Sequence, residues 1–200
     1  MMRNFIGAGL LLTLCGCVSF GGKVPPALIT ITPAVTISGG DARSTTPADA
    51  MTIAVPLVPQ AIAVNRVVVS SVSTAIAYVK DAQWVEPPAR LFQRLLAETV
   101  GAKTGKVVLD PRQFAPAAGL QLNGQLRNFG VVVANSGDVS GEAVVTYDAA
   151  MSRDRGQKVD TRRFEARVPI ARIDALSVGP AINRAANKVA GDVAEWIAGR

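Results

Sequence analysis

The chain has 200 residues, a formal net charge of +6, two cysteines and no histidine. Without histidine no Ser-His-Asp or Cys-His catalytic arrangement can be built, and two cysteines alone leave a tetrahedral zinc site incomplete, so neither a metal nor another cofactor is expected. The basic residues are scattered and aromatics make up only 5% of the chain, which provides no stacking platform for single strands; no nucleic-acid partner is expected.

Arg3 is the one charge ahead of an apolar run from Phe5 to Leu14. That is the shape of a secretory signal peptide, and the run falls short of the roughly 20 residues that cross a bilayer as a helix. It ends in "LCGC", which resembles a bacterial lipobox: Leu14 stands three places before Cys17, and the small Gly16 stands directly before it. On that reading residues 1–16 are a lipoprotein signal peptide, Cys15 leaves with it, and Cys17 is the lipid attachment site and first residue of the mature chain. The C-x-C spacing differs from the C-x-x-C of thioredoxin-like pairs, so a redox role is not expected. Thioether diacylation with N-acylation supplies three chains, beyond what stable anchoring requires. Val18 replaces the Asp that usually retains such lipoproteins in the inner membrane, which favours the periplasmic face of the outer membrane.

Residues 17–27 carry paired Gly and paired Pro and read as the acylated N-terminus and a flexible tether. Residues 28–200 are long enough for a single domain with a substantial core. "ALITITPAV" alternates as a strand, and "SGGDARSTTPAD" (38–49) is a polar loop. "MTIAVPLVP" is a short or edge strand, limited by Pro56 and Pro59. "NRVVVSSVSTAIAYV" is one bent strand or a hairpin turning near Ser71. A helix over 87–103 opens at Pro87 and Pro88, carries the stripe Leu91, Phe92, Leu95, Leu96 and Val100, and ends at Gly105. "GLQLNGQLRNFGVVVA", "DVSGEAVVTYDAAM" and "QKVDTRRFEARVPI" then alternate with period two across short polar turns, the pattern of an antiparallel meander. A helix over 178–198 closes the chain, with Ser177 as candidate cap and the stripe Ile182, Ala186, Val189, Val193 and Trp196. The expected fold is α+β: a mostly antiparallel sheet with two main helices packed on one face.

Chemistry is sparse. "GAKTGKVV" only superficially resembles a phosphate loop, since it ends a helix and Val107 stands where a magnesium-binding hydroxyl belongs. Glu86, Asp110, Glu142, Asp148 and Glu165 are the carboxylates available for general acid-base pairing, but they fall on turns or on the polar side of strands. Trp84 and Trp196 stand at helix ends, as core anchors or as ligand platforms. No catalytic residue is assigned.

Taken together, the acylated cysteine, "IAVNRVVV" leading into "AQWVEPPARLFQRLLAETV", the strand "LQLNGQLRNF", and "RRFEARVPI" before a final helix resemble the ABC-type transport auxiliary lipoproteins, the PqiC-like family. "LITITP" replaces that family's Tyr-rich opening strand, and its Arg before the second strand corresponds to Arg66. The resemblance implies a non-enzymatic, lipid-anchored periplasmic subunit that partners MCE-domain proteins and ABC-transporter or membrane permease subunits in moving lipids or apolar compounds. It also implies, less directly, a homo-oligomer. The competing readings are an outer-membrane assembly lipoprotein resembling the LPS-transport factors, and a small enzyme on a lipid anchor.

Overall fold

The computed structural model describes residues 27–71, 74–110, 112, 119–153 and 156–200. The expected signal peptide, Cys17 and all of the tether except Ala27 lie outside them. In chain order the elements are β1 (Ala27–Ile29), β2 (Met51–Ile53), β3 (Arg66–Ser71), β4 (Ile76–Trp84), α1 (Pro88–Thr104), β5 (Val108–Leu109), β6 (Leu120–Val133), β7 (Gly141–Arg153), β8 (Lys158–Ile170) and α2 (Ala175–Ala198).

All strands join one sheet, with β6 as its axis. One edge of β6 pairs antiparallel with β7, which pairs antiparallel with β8, giving the expected meander. The other edge is divided end to end. Residues 120–122 pair parallel with β2, residues 130–133 pair parallel with β3, and Leu57 bridges the gap opposite Gln125. β3 and β4 form a hairpin, β1 adds parallel to the end of β4, and β5 adds parallel to β2. The long pairings are thus antiparallel, while the short peripheral strands make the sheet mixed. Strands of two or three residues are too short to show a period, so their direction is set by the path of the chain and not by local pattern. The ends of β3, β6 and β8 share one end of the sheet, here the upper end; the β7–β8 turn marks the lower end.

Both helices lie on one face. Pro88 occupies the first position of α1, where its missing N–H costs no bond, and Gly105 at φ 72° closes the helix through its N–H to the Gly101 carbonyl. In α2 the cap is Asp174, not Ser177: its carboxylate accepts from the backbone N–H groups of Leu176 and Ser177, which places Ser177 inside the first turn. Asp174 has the extended backbone that a cap requires, and Ser177 does not. The two apolar stripes meet each other and the core face of the sheet, where Ala143, Val145, Tyr147, Ala149 and Met151 of β7 are all buried. Trp84, Phe129, Phe92 and Tyr147 form an aromatic line through the core, with successive centroids 5.2, 6.2 and 5.2 Å apart.

The segment after β1 fastens the helices from outside. Thr32 N–H donates to Asn183 Oδ1 (2.9 Å), Ala34 N–H to Asn187 Oδ1 (2.7 Å), and Ile37 N–H to Glu98 Oε1 (2.7 Å). Arg43 then donates to the Gly101 carbonyl at the end of α1. Two glycines receive this strap: a Cβ on Gly179 would stand 3.1 Å from the Ile29 side chain, and one on Gly101 3.0 Å from that of Ile37. Among the described residues no helix is long and apolar enough to cross a membrane.

Candidate functional site

The sheet face opposite the helices is a lattice of charges. Asp148 of β7 lies between Arg127 of β6 and Arg163 of β8. Arg167 spans Glu142 (3.0 Å) and Glu165 (2.8 Å). Thr146, buried beneath this layer, donates to Glu165 at 2.9 Å and accepts from Asn128 at 3.1 Å. Hydrogen bonds from Arg163 and, against the opposing effect of burial, from Arg127 hold the Asp148 carboxyl down at about 2. Glu165 is lowered by Arg167 first, with Thr146 contributing.

The other carboxylates singled out from the sequence are engaged in the same way. Glu86 pairs with Arg94, and the side-chain and backbone hydrogen bonds of Arg112 hold Asp110 at about 2. The structure therefore brings Glu142, Asp148 and Glu165 onto one face and leaves Glu86 and Asp110 elsewhere. An ionised carboxylate locked to a guanidinium is a poor general acid, so the lattice is suited to holding shape and charge pattern. Among the described residues no three ligating side chains converge as a metal site.

Trp84 and Trp196 are both core residues, packed against Phe129 and Phe164 respectively. Gly105 is a helix terminator, as the phosphate-loop comparison anticipates. Arg66 opens β3 and lies 4.1 Å above the Tyr78 ring.

The residues that pattern reading misses are Arg127, Val55 and Leu57. Arg127 sits where the β6–β7 register slips between Leu126 and Asn128, and a bulge breaks the alternation that would otherwise assign its side. Leu57 lies in "VPLVP", next to Pro56 and two residues before Pro59; its backbone is fixed to β6 by bonds to Gly124 and Leu126, yet its side chain is 75% exposed. With Val55 it lines a recess of about 770 Å³ that also includes Gln125, Asp148 and Arg163. Apolar side chains beside a fixed charge pattern form a surface suited to protein contact.

A family model described as an ABC-type transport auxiliary lipoprotein component matches residues 30–194. The fold is similar to that of protein XCC0632 from Xanthomonas campestris, a DUF330 protein, with a TM-score of 0.69 at 20% identity over 86% of this chain and 96% of that one. The crystal structure of an uncharacterised protein gives 0.56 at 14% identity, over 75% and 90% of the two chains. A PelC dodecamer from Paraburkholderia phytofirmans gives 0.39 at 12%, over 76% and 91%, too distant to bear on this chain. No curated protein matches the sequence.

Proposed function

We propose, from the premise that this chain belongs to the ABC-type transport auxiliary lipoprotein family, that it is the outer-membrane-tethered subunit of a transport system for lipids or other apolar compounds. It is anchored through Cys17 at the periplasmic face, works without catalysis, and acts by docking MCE-domain and ABC-transporter or permease subunits. A homo-oligomer belongs to the same proposal. The observation that carries the reading is the family match over residues 30–194. The geometry supports it: every carboxylate considered for catalysis is tied to arginine, and the exposed Leu57 and Val55 border a fixed charge lattice.

Affinity capture from detergent-solubilised membranes tests it, with partners identified by mass spectrometry. MCE-domain or permease subunits recovered with the native chain and lost with Leu57→Asp are the expected result. Recovery of an outer-membrane barrel alone would instead select the assembly reading. Deletion is expected to sensitise cells to detergents, and Cys17→Ser to reproduce the defect while Glu142→Gln does not.

A further inference from the structure

We propose that the upper end of the sheet is a second, shallow membrane contact, in which Val139 and Leu176 enter the lipid interface beside the acyl anchor. This rests on acylation of Cys17 as proposed above. Val139 and Leu176 are 73% and 80% exposed, among the most exposed large apolar side chains of the described residues. They come from the β6–β7 connection and the start of α2, which are tied together: Ile173 N–H donates to the Val139 carbonyl at 2.8 Å, and Leu176 follows in the first turn of α2, which Asp174 caps. Single exposed apolar residues are ordinary on soluble proteins. Two on one braced tip form a surface with a direction.

The occupant follows from where the described chain begins. β1 runs parallel to β4, with Ala27 in register with Ala82, so the chain at Ala27 is heading away from the upper end. A bulge in β4 sets Ala82 level with Val67, three residues below the Ser70–Ile76 pair, or about 10 Å at roughly 3.3 Å per residue. Residues 17–26 span at most about 35 Å, enough to climb that distance with slack. The lower end lies about 25 Å the other way by the same rise, and reaching it requires the tether to double back. The tip is thus the part of the domain that the anchor brings to the bilayer. Charge agrees with this. Arg184 lines the recess beside Leu176, which sets its guanidinium level with anionic headgroups when the leucine is immersed, while Arg172 in the same recess is paired with Asp174 at 2.6 Å.

The test uses the full-length, exported protein. On the anchor reading its mature form has no free thiol, so Val139→Cys, Leu176→Cys and, at the lower end, Val159→Cys each accept an environment-sensitive dye at one position. Val159 is the matched control because it is also apolar and exposed. In vesicles of phosphatidylethanolamine and phosphatidylglycerol, the dyes at 139 and 176 are expected to brighten severalfold, shift to the blue, and be quenched by spin labels on the acyl chains. The dye at 159 is expected to stay water-like. Water-like emission at 139 and 176, in protein whose intact mass shows a lipid-modified Cys17, overturns the proposal and leaves the anchor standing. An intact mass without lipid overturns the anchor reading instead. The same brightening in unacylated protein carrying both Cys15→Ser and Cys17→Ser, without vesicles, means that a second copy covers the tip, and this also overturns the proposal.

Discussion

Tyr147 is the residue around which the middle of the sheet is built. Its ring lies across Gly124 on the neighbouring strand, where a Cβ would stand 2.5 Å from the ring and 2.3 Å from the Asp148 carbonyl. Its hydroxyl donates to the Asn123 carbonyl at 3.1 Å, and burial pushes its ionisation well above the usual phenol range. Gly124→Ala is expected to lower stability by about 1–3 kcal/mol, the usual cost of forcing extra volume into a packed core, read as a drop in Tm. Tyr147→Phe is expected to cost about 1 kcal/mol from the lost hydrogen bond alone. One residue further on, Asp148 sets an acid limit. Its folded pKa of about 2 lies below the roughly 3.9 of an unfolded aspartate. The stabilisation is therefore complete above about pH 4 and lost as pH falls through about 2. Asp148→Asn is expected to flatten that part of the profile of denaturant midpoint against pH.

At the scale of elements, helices and long strands were legible because period and punctuation agree. In α1 the stripe Leu91, Phe92, Leu95, Leu96 and Val100, opened by Pro88 and closed by Gly105, forms a helix as written. Leu95→Ala is expected to cost about 2–5 kcal/mol in thermal melts, as a deletion in a buried stripe. The α2 cap was misread because both Asp174 and Ser177 are capping residues in sequence, and only the extended backbone at Asp174 decides between them. Asp174→Ala is expected to cost about 0.5–2 kcal/mol, whereas Ser177→Ala should stay within error. What was least legible is contact between distant parts: the strap's bonds to Asn183 and Asn187, the direction of β1, and the bulge at Arg127 have no local signature. The charge lattice was half visible. Alternation placed Glu142, Thr146 and Asp148 together, but their arginine partners lie on other strands.

At the scale of the whole molecule, the sheet and the helices form two layers with the strap fastened outside the helices, and the described chain begins at β1, on an edge of the sheet. A pull on the chain ahead of β1, as the proposed anchor would exert, therefore applies load first at β1. Because β1 lies parallel to β4, a pull on Ala27 towards the upper end runs along the strand axis. The pairs Ala27–Ala82, Leu28–Gln83 and Ile29–Trp84 then share the load in shear instead of opening one after another, as a strand peeled sideways would. Behind them the load passes to Ile29 seated on Gly179 and to the amides held by Asn183 and Asn187. Pulling between residue 17 and the C-terminus on single molecules should give one high-force rupture, and Asn183→Ala with Asn187→Ala should lower the force of the step that follows it. A strand of three residues is thus the fuse of the domain, the joint that sets how much tension it bears before it lets go of its own N-terminus.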